Sequence, residues 1–235
     1  MKKLFIIKAG KTFDTIISEY GDFEDWILKY INYENIKIID IQNNEEIPSL
    51  NDCLGVIITG SHAMVTQELP WSLKLEIFIK EVILAKIPFL GICYGHQLLA
   101  KSLGAKVDYH PKGIELGTVN ISVSKEALSD DIFKYLPSSF DVHVVHSQSA
   151  ISLPKNAVLL ASNNHEQNHA FRVGENAWGV QFHPEYDENV MRGYIKEVLK
   201  NNDEEKNRLL KKVKQSNYSN EIIKLFVNVV KASNY

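Results

Sequence analysis

The chain reads as an α/β protein: a three-layer arrangement around a central, mostly parallel β-sheet, with a smaller antiparallel portion and a C-terminal helical extension. Three features carry that reading. Up to about Leu103, short continuous apolar runs alternate with helical patterns, as expected of strands covered on both faces and joined by helical crossovers. Beyond Ala105 the texture changes to short strand candidates separated by Gly, Asn and Pro turns. From Asp187 onward the apolar spacing is helical again. With 235 residues, 45% of them hydrophobic and 23% charged, the chain is long enough for a sizeable core, and one domain with a decorated edge accounts for its length.

Taken in order, Leu4 to Ile7, Ile36 to Ile41, Leu54 to Thr59 and Pro88 to Cys93 are the expected parallel strands. Between them, Phe13 to Tyr20, Asp25 to Ile31 and Trp71 to Ala85 have helical spacing. In the last of these, Leu73, Ile77, Ile83 and Leu84 with Phe78 form the expected apolar face. Right-handed crossovers place the loops that follow the strands, Thr59-Gly60-Ser61 and Cys93-Tyr94-Gly95, at the carboxyl edge of the sheet. The second texture supplies Lys106 to Tyr109, Thr118 to Val123, Val142 to His146, Val158 to Ala161, Ala170 to Val173 and Trp178 to Phe182. Helix returns over Asp187 to Lys200 and again over Asp203 to Ala232, where Ile222, Ile223, Phe226 and Val230 mark an apolar face and Glu204, Arg208, Lys211 and Lys212 a solvated one.

Composition narrows the function. A formal net charge of −3 gives no general affinity for nucleic acid or anionic membranes, and no apolar stretch approaches the roughly 20 residues of a membrane span. The run after Lys2 and Lys3 ends at Lys8, too early for a secretory leader, so a cytoplasmic protein is expected. Cys53 and Cys93 form no Cys-x-x-Cys pair, which fits a reducing compartment.

The informative stretch is Phe89-Leu-Gly91-Ile-Cys93-Tyr94-Gly95-His96-Gln97. An apolar strand turns at once into a helix, and Cys93 sits on the corner. Such a corner lifts a side chain off the sheet, and glycines at 91 and 95 relieve the crowding it creates. The helix N-terminus favours thiolate over thiol. Core cysteines are common, so the corner alone leaves a structural role open. Gly179-Val-Gln-Phe-His183-Pro184-Glu185 supplies the missing chemistry. Pro184 favours an extended chain, so His183 and Glu185 project to the same side, a base and the carboxylate that orients it.

These two motifs, with Ile57-Ile-Thr-Gly60-Ser61 in matching order, resemble the class I glutamine amidotransferases, in particular free-standing chains similar to the glutaminase domain of GMP synthase. The resemblance covers about residues 50 to 190. It implies a flavodoxin-like fold, with residues 1–200 as the amidotransferase domain and 201–235 as a helical extension packed on it. It further implies a Cys93-His183-Glu185 triad that hydrolyses the side-chain amide of glutamine through a γ-glutamyl thioester, releasing ammonia and glutamate. Backbone N–H groups of Gly60 and Tyr94 would form the oxyanion hole, and Gln97, Ser147 and Gln148 would hold the amino-acid end. Lys112-Gly-Ile-Glu115-Leu-Gly117 resembles a segment at the pocket rim of such proteins. Partners implied are glutamine or another γ-glutamyl compound and a synthetase on a separate chain. Cleavage of γ-glutamyl peptides by the same triad, or a catalytically silent regulatory role, stand as alternatives.

His165-Glu166-Gln-Asn-His169 satisfies His-Glu-x-x-His, but it lacks the amphipathic helix that would put both histidines on one zinc ion. No Walker-type loop and no Gly-x-Gly-x-x-Gly is present, so neither metal nor cofactor is expected.

Overall fold

The structure, a computed structural model, describes residues 2–233. Strands β1 (Lys3–Lys8), β2 (Ile36–Asp40), β3 (Cys53–Ile58) and β4 (Phe89–Ile92) pair in parallel, linked by α1 (Asp14–Tyr20), α2 (Phe23–Leu28) and α3 (Pro70–Leu84). Helix α4 (Tyr94–Ser102) follows β4 directly. The later strands are β5 (Val107–Tyr109), β6 (Glu115–Val123), β7 (Ser139–His146), β8 (Gln148–Ala150), β9 (Val158–Ser162), β10 (Ala170–Val173) and β11 (Ala177–Val180). Helices α5 (Glu188–Val198), α6 (Asp203–Leu210) and α7 (Glu221–Ala232) complete the chain.

One nine-stranded sheet runs β2-β1-β3-β4-β11-β10-β9-β6-β7, and β5 with β8 forms a separate two-stranded ribbon. β11 joins the parallel half through β4, whereas β10, β9, β6 and β7 pair antiparallel. This mixed, mostly parallel arrangement with helices on both faces is the expected fold class. Leu4 and Ile6 of β1 point into one core layer, Phe5 and Ile7 into the other, and all four are buried. That double burial is why β1 reads as a continuous apolar run rather than an alternating one. Helix α7 closes the first layer through Ile222, Ile223, Phe226 and Val230. It lies so close to β3 that a Cβ on Gly55 would come within 2.6 Å of a Val230 methyl.

Local chemistry sets several boundaries. Asp22 caps α2 in a reciprocal box with Asp25, so that helix starts at Phe23, before the expected Asp25. β6 begins at Glu115 rather than Thr118, and β8 carries no apolar pattern that would announce it. The buried face of α3 differs from expectation. Leu75, Phe78, Ile79 and Val82 are buried, whereas Leu73, Ile77 and Leu84 are 42%, 60% and 83% exposed. The helix is apolar on nearly every side, so periodicity does not select a face; contact with β3, β4 and α4 does. The stretch from His165 to His169 is a turn between β9 and β10, so its histidines do not share a helical face.

Candidate active site

Parallel pairing assembles the site. Val180 of β11 lies opposite Ile92 of β4, and Ile58 of β3 opposite Gly91. Three chains therefore leave the same sheet edge side by side, carrying Gly60, Cys93 and His183. Cys93 adopts φ 50 and ψ −95, a backbone conformation unfavourable for a residue with a Cβ. It is held there by its N–H, which donates to Val180 O at 2.8 Å, and by its carbonyl, which accepts from Gln97 N at 3.1 Å. The flanking glycines are obligatory: a Cβ on Gly91 would meet Gly95 O at 2.4 Å, and one on Gly95 would meet Ile58 O at 2.5 Å.

His183 Nδ1 donates to Glu185 Oε1 at 2.7 Å, and both residues are buried. Backbone anchoring comes from His183 N–H, which donates to His143 O at 2.8 Å. The imidazole stacks on Tyr186 at 4.1 Å between ring centroids and lies nearly parallel to Phe23 at 6.1 Å. Burial opposes a charge on His183, but the Glu185 carboxylate and the Cys93 sulfur outweigh it and push the imidazole up to about 10. An imidazole protonated at neutral pH beside a sulfur is the pairing that makes a cysteine nucleophilic.

Tyr94 opens α4, where its N–H has no intrahelical acceptor. Gly60, level with Cys93 across β3 and β4, packs under His183: a Cβ there would come within 3.0 Å of His183 Cε1. Among the described residues, no loop hydrogen bond engages the Gly60 N–H.

Cys93, Tyr94, Gln97, Ser147, Gln148 and His183 all line one cavity of about 270 Å³. Gln97 donates both amide protons internally, to Gln148 O at 2.8 Å and to Gln181 Oε1 at 3.0 Å, so only its oxygen remains for a ligand. The Gln148 side chain donates to Thr66 Oγ1 at 2.6 Å, which leaves its main chain to face a ligand. Sequence reasoning missed an aromatic part of the cavity lining, where Phe13, His62 and Tyr194 make a three-ring cluster with centroids 4.4, 5.5 and 6.0 Å apart. Burial lowers the His62 imidazole, which keeps it neutral. Nothing in the sequence joins Phe13 to Tyr194; Tyr186, adjoining Glu185, was the one legible signal. Among the described residues, no group of three or more His, Cys, Asp or Glu side chains could hold a metal ion, and no helix is long and apolar enough to cross a membrane.

Comparison with known proteins agrees with this geometry. The family model for glutamine amidotransferase class I matches residues 15–202. The chain is 29% identical to γ-glutamyl peptidase 4 of Arabidopsis thaliana, across 84% of this chain and 81% of that protein. It is 31% identical to a glutamine-hydrolyzing GMP synthase subunit of Methanosphaera stadtmanae, across 77% of this chain and 92% of that one. A glutamine amidotransferase structure from Thermotoga maritima superimposes with a TM-score of 0.77 at 22% identity, covering 99% of this chain and 98% of that one, which shows the shared fold. A match over most of its length, together with a cysteine on a strained strand-to-helix corner, places the chain in the class I glutamine amidotransferase family as a cysteine hydrolase of that type.

Proposed function

We propose that the protein hydrolyses γ-glutamyl amides, glutamine among them, with Cys93 as nucleophile, His183 as acid and base, and Glu185 as the group that orients and charges His183. The observation that carries this is Cys93 held at positive φ on the β4–α4 corner beside a buried His183–Glu185 pair of 2.7 Å. The Cys93 sulfur attacks the side-chain carbonyl carbon, and the N–H groups of Gly60 and Tyr94 receive the developing oxyanion. His183 gives its proton to the leaving nitrogen, the C–N bond breaks, and ammonia or an amine departs. A water molecule, deprotonated by His183, attacks the γ-glutamyl thioester; the C–S bond breaks, and glutamate and the free sulfur are restored. Where glutamine is the substrate, the ammonia acceptor is a synthetase on a separate chain, as the likeness to a GMP synthase subunit supports. Cysteine usage suits a reducing compartment, and the cytoplasm is the proposed location.

A second reading is favoured by the cavity's lining. Gln97, Ser147 and Gln148 line a polar part suited to the amino-acid group, whereas Phe13, His62 and Tyr194 line an aromatic part that ammonia would not need. A larger amine fits there, and the likeness to a γ-glutamyl peptidase supports γ-glutamyl peptides as substrates. Product release from glutamine and from γ-glutamyl dipeptides, read by mass spectrometry with Cys93→Ala as control, tests both. Ammonia from glutamine supports the amidotransferase reading, cleavage of dipeptides alone the peptidase reading. Release of neither, or turnover by Cys93→Ala, overturns the assignment.

A further inference from the structure

Glu115 opens β6 directly opposite His146 at the end of β7, and both side chains are buried. His146 Nδ1 lies 3.0 Å from Gln148 O, and a carbonyl only accepts, so Nδ1 carries a proton. His146 Nε2 lies 3.0 Å from Glu115 Oε2. Burial opposes charge on Glu115, but hydrogen bonds from His146, His169 and Asn163 overcome it and hold the carboxyl well below the usual carboxylate range. A chain of hydrogen bonds thus runs from Glu115 through the His146 ring to the main chain at Gln148. The other titratable groups around that ring are His169, whose Nε2 sits 3.3 Å from the same Glu115 oxygen, and His165, whose ring is 6.3 Å away. His110 stacks on His165 at 4.4 Å, Glu166 accepts from Ser149, and His96 of α4 faces the cluster as a neutral ring, lowered to about 3 by burial.

A buried hydrogen-bonded pair contributes only modest net stability, since desolvation offsets the attraction. What this pair does is fix a main chain. Gln148 O receives two donors, His146 Nδ1 and Gln97 Nε2, and Ser147 O receives the His110 N–H at 2.8 Å. Gln97 stands one helical turn beyond Cys93. The Ser147–Gln148 wall of the cavity is thereby bolted to the helix that carries the nucleophile.

We propose that Glu115 and His146 act as a hydrogen-bonded clamp, positioning residues that set the Ser147–Gln148 wall relative to Cys93 and so determine how tightly the γ-glutamyl group is held. The proposal rests on the γ-glutamyl reading of the cavity. Replacing the Glu115 carboxylate by an amide removes the charge and leaves one of its two partners, His146 or Asn163, facing an N–H.

The test compares wild type with Glu115→Gln and Glu115→Asp. Two readouts need no turnover: the rate of Cys93 alkylation by iodoacetamide, and the protection of Cys93 by L-glutamate, which gives a dissociation constant. In Glu115→Gln, KM for glutamine or a γ-glutamyl dipeptide and the glutamate dissociation constant rise about tenfold or more, while kcat and unprotected alkylation stay within about threefold. Glu115→Asp recovers part of the loss. A fall in kcat with KM and protection unchanged, or no change in any readout, overturns the clamp. Nitrogen-15 NMR of histidine-labelled wild-type protein tests the bond to the main chain without any variant: a proton on His146 Nδ1 supports the clamp, and an unprotonated Nδ1 overturns it. Failure to turn over any γ-glutamyl amide would count against the proposed reaction, while alkylation and NMR still judge the clamp.

Discussion

Glu185→Gln isolates the electrostatics of the proposed catalytic pair, because the amide keeps the shape of the carboxylate and its oxygen can still accept from His183 Nδ1. What it removes is the charge that lifts His183 against burial. Only the Cys93 sulfur then opposes burial, so the imidazole falls from about 10 and the pairing of imidazolium with sulfur is less populated. Turnover that draws on that pair falls with it, toward the ~10⁴ that an equivalent carboxylate-to-amide swap costs a serine triad. The assay is kcat/KM for glutamine or a γ-glutamyl dipeptide, run beside the pH profile of Cys93 alkylation. At neutral pH the variant is alkylated more slowly than wild type, and the gap closes as pH rises. A variant that keeps more than about a tenth of wild-type kcat/KM, or whose alkylation profile overlays wild type, would refute the reasoning. So would a greater loss than His183→Ala causes, since orientation is a smaller role than proton transfer.

Three further outcomes follow from the geometry. Cys93→Gly loses all turnover yet unfolds at higher denaturant than Cys93→Ala, by about 1–3 kcal/mol, because glycine tolerates the positive φ that alanine does not; equal stabilities would mean the corner is relaxed. On α3, Leu75→Ala costs about 2–5 kcal/mol and Leu84→Glu less than about 0.5, measured by urea unfolding, and the reverse ranking would restore the face expected from the sequence. The two buried pairs give stability opposite pH limits. The His183 contribution is complete below pH 6.5 and is lost as pH rises through about 10, whereas that of Glu115, whose folded value lies below 4.5, is complete above 4.5 and is lost as pH falls beneath it. Thermal melts of wild type against His183→Gln and Glu115→Gln should converge at high and low pH respectively, and parallel curves would contradict the assignments.

Much of the architecture was legible because burial on both faces leaves a plain trace. Leu4 to Ile7 and Leu54 to Ile58 contain almost nothing but apolar residues, and no other environment demands that. The corner and the strand end that carry the proposed reacting residues were legible because a strand-to-helix corner needs small neighbours and Pro184 holds His183 and Glu185 extended, constraints that act within a few residues. What was hidden depends on distant partners. The buried face of α3 is decided by the strands beneath it, β8 by pairing with β5, and the aromatic part of the cavity by Phe13 and Tyr194, which hydrogen bonding through Thr12 and Tyr194 brings together across most of the chain. Gln97 lines the cavity, and its amide protons are committed to Gln148 and Gln181, an allocation that only three-dimensional neighbours determine.

The seating of α7 on β3 bears on how the molecule is made. Gly55 and Val230 touch although 175 residues separate them (230 minus 55). A chain emerging from the ribosome can pair β1, β3 and β4 early, yet one side of that sheet stays uncovered until α7 has been synthesised. Until then Leu4, Ile57, Leu90 and Trp178 lack part of their cover, and the intermediate is sticky in proportion. Chains stopped short of Glu221 are therefore expected to be captured by chaperones or to aggregate, even though every proposed reacting residue has already been made.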